Sequence, residues 1–229
     1  MKLSIIMPIY NEKNTVLTIL DKVNRVNLKN IEKEIIIVDD FSADGTRDIL
    51  NKIKDKNIKI IYHEKNQGKG SAIRTGINHV TGNITIIQDA DLEYNPEDYK
   101  RLIQPILNNE TEVVYGSRLL GNVSGFNVPS HHIGNIILSF AASLLYFKNV
   151  TDMETCYKMI RTSVLKSLNL KAKRFDFEPE ITAKLLKKGY TIKEIPISYK
   201  CRSFKEGKKI NWRDGLKALY YLLKYRFTD

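Results

Sequence analysis

Short apolar runs separated by polar, often glycine-containing breaks mark the first half of the chain. Lys2 to Ile9, Glu34 to Val38, Ile58 to Tyr62 and Ile84 to Ile87 are dominated by β-branched and aliphatic residues and alternate little. That is the pattern of strands covered on both faces of a parallel sheet. Between them the apolar spacing turns helical: Val16, Leu17, Ile19, Leu20 and Val23, then Ile49, Leu50 and Ile53, then the stretch Ser71 to Val80. Strand, loop and helix alternate four times, which predicts an α/β fold with an open, mostly parallel sheet flanked by helices. Pro8 is expected to end the first strand, and Pro96 to open a helix after the fourth.

The second half is less regular. Val113 to Tyr115 reads as a strand, and Leu120 to His132 as a polar loop. Gly134 to Phe147 is apolar nearly all round, and Phe175 to Gly189 is helical with Gly189 as its stop. Tyr190 to Tyr199 holds Pro196 and is therefore expected at a sheet edge. Trp212, Leu216, Leu219, Leu223 and Phe227 fall on one helical stripe, with Arg213, Lys217, Lys224 and Arg226 off it. Such a stripe either packs on the sheet or lies in a membrane interface. The expected organisation is a domain over residues 1–200 and a basic, amphipathic extension over 201–229.

Charge sharpens that division. The 229-residue chain carries a formal net charge of +11. Residues 1–156 hold 18 Lys and Arg against 19 Asp and Glu, whereas residues 157–229 hold 19 against 7. A neutral front with a basic tail points to an anionic partner for the tail. A nucleic-acid binder would account for the tail but not for the acidic strand ends, so no nucleic acid is expected. Two cysteines, Cys156 and Cys201, read as reduced thiols of a cytoplasmic protein. No apolar run reaches the roughly 18 residues of a spanning helix, so membrane contact is expected to be peripheral, on the cytoplasmic face.

The candidate chemistry sits where strands end. Tyr10 to Glu12, Asp39-Asp40, Asn66 to Gly70 and Asp89 to Glu93 each follow a predicted strand. Open parallel sheets bind ligands at the carboxyl ends of their strands. Asp89, Asp91 and Glu93 are expected to converge on a hard divalent cation, since Mg²⁺ takes one or two carboxylates and completes its shell with waters and phosphates. Asp40 can accept hydrogen bonds from a base or ribose, or cap the following helix. Lys69, between two glycines, can meet a phosphate, and Arg118 can hold one in a planar fork. Asp152 and Glu154 are the candidate bases for an acceptor that must lose a proton.

Taken together, Met7 to Glu12, Val38 to Thr46, Asn66 to Gly70 and Asp89 to Glu93 resemble family 2 glycosyltransferases with the GT-A fold. Gly116-Ser117-Arg118, Thr151 to Lys158 and the Tyr199–Gly215 region look like the dolichyl-phosphate mannosyltransferase group and its bacterial polyprenyl-phosphate relatives. The resemblance implies inverting transfer from a nucleotide-sugar donor, of GDP-mannose or UDP-hexose type, to a polyprenyl phosphate at the membrane surface, with Mg²⁺ or Mn²⁺ as cofactor. It implies nucleotide-sugar contacts from Pro8, Tyr10, Glu12, Val38, Asp40, Lys69, Asp89, Ala90, Asp91, Arg118, Arg202 and Lys208. Metal contacts fall to Asp89, Asp91 and Glu93, acceptor contacts to His131, Asn135, Asp152 and Arg202, and the catalytic role to Asp91 and Arg118. The alternatives are transfer to a saccharide hydroxyl and a sugar nucleotidyltransferase. The second lacks its usual glycine-rich, arginine-containing first loop, because Tyr10-Asn11-Glu12 stands there.

Overall fold

The computed structural model describes residues 1–125, 129–201 and 212–228. Strands β1 (Lys2–Ile9), β2 (Glu32–Asp39), β3 (Ile58–Tyr62), β4 (Ile84–Ile87), β5 (Val113–Gly125), β6 (Lys158–Arg161) and β7 (Ile192–Cys201) form one sheet in the order β3-β2-β1-β4-β6-β5-β7. All neighbours are parallel except around β6, which runs antiparallel to both β4 and β5. The expected mostly parallel α/β sheet is therefore present, with helices on its faces.

Burial explains the apolar runs. In β1, Leu3, Ile5, Ile6, Met7 and Ile9 are all buried, so both faces of this central strand are covered. Helix α1 (Val16–Arg25) turns Val16, Ile19, Leu20 and Val23 inward and leaves Leu17 exposed. The helix expected through Ile53 is the single short α2 (Thr46–Leu50), and α3 (Lys69–Ile77) follows the glycine loop. After β4, a 3₁₀ turn at Pro96–Asp98, capped by Asn95, leads into α4 (Tyr99–Leu102) and α5 (Gln104–Leu107). The remaining helices are α6 (Pro129–Tyr146), α7 (Thr162–Ser167), α8 (Phe177–Lys187) and α9 (Trp212–Phe227).

Three expectations are corrected. Pro8 does not end β1: it pairs in register with Val38, beyond the last β1–β4 pair, Ile6 with Ile87. Its missing N–H is tolerated where pairing with β4 has stopped. Leu120 to Gly125 is strand rather than loop, because β5 continues beside β7 after a register shift between Ser117 and Asn122. Gly121 lets the two backbones meet there, since a Cβ would lie 2.0 Å from the Ile197 carbonyl oxygen. Strand β6 is the third. Four residues beginning with a lysine give no readable period, yet Lys158, Met159 and Ile160 are buried. Pro196 does lie in an edge strand, β7.

The topology fixes where a ligand goes. β2 and β3 extend one way from β1, and β4 the other, so the switch point lies between β1 and β4 at their carboxyl ends. Because β6 is antiparallel, its preceding segment, Thr151 to Tyr157, arrives at that same end, next to the carboxyl ends of β4 and β5.

Candidate active site

Four polar segments meet at this edge. The turn after β1 is stitched to the turn after β2: Asn11 N donates to Ser42 Oγ (2.9 Å), Glu12 N to Thr46 Oγ1 (3.0 Å) and Ala43 N to Asn11 Oδ1 (2.9 Å). Asn11, Phe41 and Leu92 all adopt positive φ just past β1, β2 and β4. For Phe41 and Leu92 this costs on the order of 1 kcal/mol each. Tyr10 and Phe41 project into solvent there.

Asp40 is buried, and its carboxylate accepts from Gln67 N (2.8 Å), Gly68 N (2.7 Å) and the His63 ring (2.8 Å). It braces the glycine loop, so its influence on a nucleotide runs through that loop. The glycines themselves make room for the protein's own chain: a Cβ on Gly68 would lie 2.4 Å from the Lys173 carbonyl oxygen, and one on Gly70 2.9 Å from that of Ala172. Val38 and Ala90 are also buried, which leaves only their backbone to meet a nucleotide.

Lys69 opens α3, with its ammonium 3.1 Å from both Asp89 and Glu178. Burial opposes its charge, but Asp89 and Glu178 together raise its pKa well above the ordinary lysine value. Asp91 Oδ1 accepts from Glu93 N at 3.2 Å, and Glu93 Oε2 accepts from the Tyr199 hydroxyl at 2.6 Å. Asp89, Asp91 and Glu93 therefore do not form the expected three-carboxylate cluster. Among the described residues no three His, Cys, Asp or Glu side chains converge on a metal position. Tyr199 takes Glu93 and Lys69 takes Asp89. What remains, Asp91 with Asp89 two residues before it, both partly exposed, still suits Mg²⁺ or Mn²⁺. Such an ion needs only one or two carboxylates when a diphosphate supplies further oxygens.

Arg118, in β5 just past its last pair with β6, closes its fork on Asp152: Nε to Oδ2 is 2.8 Å and Nη2 to Oδ1 is 2.7 Å. Arg118 N and Asn135 Nδ2 complete the carboxylate's shell, each at 2.8 Å. Burial disfavours the Asp152 charge, yet Arg118 more than compensates and holds its pKa below the usual value. Arg118 also lies over the Tyr199 ring, 5.2 Å from its centroid, which links the pair to Glu93. Asn135 and Asp152, two of the residues expected to contact an acceptor, thus meet. The backbone of His131 lies in α6, but its side chain falls outside the described residues, as do Arg202 and Lys208.

Glu154 behaves oppositely. Burial, and then the nearby Glu178, push its pKa up to about 7. Glu154 Oε1 and Glu178 Oε2 are buried without a hydrogen-bond partner among the described residues. A carboxyl whose folded pKa exceeds its unfolded one stabilises the fold below the unfolded value and loses that contribution as pH rises through about 7. Glu154→Gln is therefore expected to stabilise the protein at pH 8, by about 1–3 kcal/mol, with the gain vanishing near pH 4. Urea midpoints at the two pH values check this.

Sequence reasoning missed Glu178. It lies in Phe175-Asp176-Phe177-Glu178-Pro179-Glu180, a segment read only as a packing helix. A run of acids among apolar residues inside a helix was the available signal. Glu180 has a different task, since its carboxylate accepts from Lys171 N and Ala172 N and pairs with Lys184. Lys158 was also passed over. It is buried, donates to the Met153 and Thr155 carbonyls, and is lowered by burial despite Glu178 and Glu154 nearby.

An Asp-x-Asp turn, a glycine loop and an Arg–Asp pair thus meet at the switch point of a mostly parallel sheet of GT-A architecture. The chain belongs to glycosyl transferase family 2, whose profile matches residues 4–168. It is 32% identical to a UDP-N-acetylglucosamine–dolichyl-phosphate N-acetylglucosaminyltransferase of Methanococcus voltae, over 96% of this chain and 94% of that one. It is 27% identical to a dolichol-phosphate mannosyltransferase of Pyrococcus furiosus, over 98% of this chain and 64% of that protein's length. Among solved structures, glucosyl-3-phosphoglycerate synthase from Mycobacterium tuberculosis, with Mn²⁺, UDP and glucosyl-3-phosphoglycerate, superimposes with a TM-score of 0.74 at 17% identity. That match covers 98% of this chain and 79% of the other. The same enzyme has also been crystallised with Mg²⁺ and UDP.

Proposed function

We propose that the protein transfers a sugar from a nucleotide-sugar donor, of UDP-linked type, to a polyprenyl phosphate, with inversion at the anomeric carbon. The observation that carries this is the state of Asp152. Its carboxylate is fully buried and engaged by both arms of the Arg118 fork and by Asn135, and Arg118 holds its pKa below the usual value, which makes it a poor base. A phosphate acceptor arrives already ionised and needs none. Its oxygen forms the bond to carbon one as the bond to the nucleoside diphosphate breaks, and no proton has to move in that step. Relatives named for dolichyl phosphate support the acceptor class, and those crystallised with UDP support the donor.

The chain's own groups mostly position and exclude water. Lys69 holds Asp89 in place through their ion pair. The stitched turns after β1 and β2 shape the nucleoside side, with Pro8, Tyr10 and Glu12 on it. Arg118, clamped by Asp152 and stacked on Tyr199, presents a fixed positive edge toward the anionic reactants. A divalent cation held by Asp91, with Asp89 beside it, would supply electrostatic stabilisation of the departing diphosphate.

Glu154 favours a second reading. A carboxyl with a pKa near 7 is suited to general-base work on a saccharide hydroxyl. One experiment separates the two. The protein is incubated with polyprenyl phosphate and a saccharide acceptor, together and separately, with a panel of radiolabelled UDP- and GDP-sugars and Mg²⁺ or Mn²⁺. Label is expected in the organic phase only when lipid phosphate and metal are both present. Label in a water-soluble saccharide product, abolished by Glu154→Gln, would select the second reading and overturn the first.

A further inference from the structure

The loop after β3 and the loop before α8 enclose a cleft of about 350 Å³. Lys65, Asn66 and Gln67 line it from the first loop, Lys173 and Arg174 from the second. None of Tyr10, Glu12, Asp89, Asp91 and Arg118 lines it, and the Lys69 ammonium is committed to Asp89 and Glu178. The cleft is thus separate from the candidate active site.

Both walls are pinned. Asp40 holds the first: its carboxylate accepts from Gln67 N and Gly68 N, and its carbonyl from Asn66 Nδ2 (3.2 Å). On the second, Ser71 N donates to the Lys173 carbonyl (3.0 Å), and Arg174 N donates to the Asp176 carboxylate (2.7 Å). Gly68 sets the spacing, since a Cβ there would lie 2.7 Å from Arg174 Cγ. Backbone contacts therefore preform the cleft and leave its long side chains free to meet a ligand.

Its chemistry is one-sided. Lys65, Lys173 and Arg174 are exposed, and among the described residues none of the three side chains has an ion pair. Exposed lysines elsewhere do find acids, as Lys100 finds Glu97 and Lys193 finds Glu110. No carboxylate lines the cleft. A cleft lined by one sign of charge focuses its field and concentrates counter-ions. The guanidinium, two ammonium groups and neighbouring amides supply donors suited to phosphate oxygens. No aromatic or aliphatic residue offers a wall for a base or a lipid tail, so recognition falls on the oxygens alone. The volume leaves room for two or three linked phosphates.

We propose that this cleft binds a small inorganic polyphosphate anion, pyrophosphate being the smallest, without a metal ion. The anion would bridge Lys65 on one wall to Lys173 and Arg174 on the other, and so clamp the loop that leads into Lys69. Nothing in this rests on the proposed transfer reaction.

Equilibrium dialysis of the whole protein against radiolabelled pyrophosphate tests it, in EDTA and at low ionic strength. No sugar nucleotide, lipid or metal is present, so the outcome is independent of transfer. One saturable site per chain is expected, with orthophosphate bound about tenfold or more weakly. Lys173→Glu with Arg174→Glu is expected to weaken pyrophosphate binding by about a hundredfold, and Lys65→Ala by about tenfold. Circular dichroism should be unchanged, because all three positions are exposed. The net charge of +11 attracts any anion, so the control is Lys52→Glu with Lys56→Glu, two exposed cations outside the cleft. That variant carries the same change of charge and should bind like the parent. The proposal is overturned if the parent shows no saturable binding, or if the control weakens binding as much as the cleft reversal. It also fails if the cleft reversal binds like the parent, or if orthophosphate binds as tightly as pyrophosphate.

Discussion

Replacing Asp91 with alanine is expected to lower the transfer rate by about a thousandfold or more, and to flatten its response to added Mg²⁺ or Mn²⁺. The carboxylate is partly exposed just past β4 and accepts locally from Glu93 N. Because the residue is partly exposed, the effect on the fold should be on the order of 1 kcal/mol. The rate effect is much larger, because the leaving diphosphate would lose the ion that offsets its developing charge. Asp89→Ala should weaken activity differently, since it also releases Lys69 to its ion pair with Glu178. Initial rates over a metal titration, with a thermal melt as the folding control, separate the two. An Asp91→Ala enzyme with parental rate and metal response would contradict the assignment.

Asp152→Ala is expected to be the most damaging single change to stability, by about 3–5 kcal/mol, because it strands a buried guanidinium without its counter-charge. The Arg118–Asp152 pair is closed by both arms of the fork, with Asp152 fully buried. Asp152→Asn keeps the shape but loses the charge, and should fall between. The linkage has a definite sign. The folded pKa of Asp152 is depressed, so its contribution is present above the ordinary aspartate value and fades as pH falls through the folded one. Replacing both partners by apolar residues, as in Arg118→Met with Asp152→Leu, should recover much of the stability while leaving transfer abolished. Denaturant midpoints for the parent, Arg118→Met, Asp152→Leu and the double variant form the cycle. Additive losses, with no recovery in the double variant, would show that the pair does not act as a unit.

How much of this was legible in the sequence follows from periodicity. β1 and β4 could be read closely because buried parallel strands are continuous apolar runs, the half-exposed edge strand β3 from its β-branched residues, and α9 because its stripe repeats at helical spacing. β6 was not legible: Lys158 at its start is tolerated only because its ammonium finds the Met153 and Thr155 carbonyls. Without β6, nothing in the sequence said that Asp152 and Glu154 reach the same edge as Asp91. The far half of β5 was hidden for a related reason. Its pairing with β7 depends on Gly121 and a register shift, which leave no pattern of their own.

Residue type was a weaker guide than position. The acids after β2 and β4 were correctly placed at strand ends, yet their partners decide their roles. Asp40 spends its oxygens on the glycine loop, and Glu93 is taken by Tyr199. Arg118, read as a phosphate fork, is engaged by Asp152 first. Each of these partners is at least 25 positions away in the chain, beyond the reach of local pattern. Glu178 shows the converse, since a buried carboxyl in a helix looks like an error of patterning until Lys69 and Glu154 are seen around it.

The most direct test of the account is anomalous diffraction from crystals grown with Mn²⁺ and a nucleoside diphosphate. The manganese peak is expected within coordination distance of an Asp91 carboxylate oxygen, with diphosphate oxygens completing its shell and Glu93 still held by Tyr199. A peak bound elsewhere on the chain, or a diphosphate seated away from the carboxyl ends of β1 and β4, would contradict it.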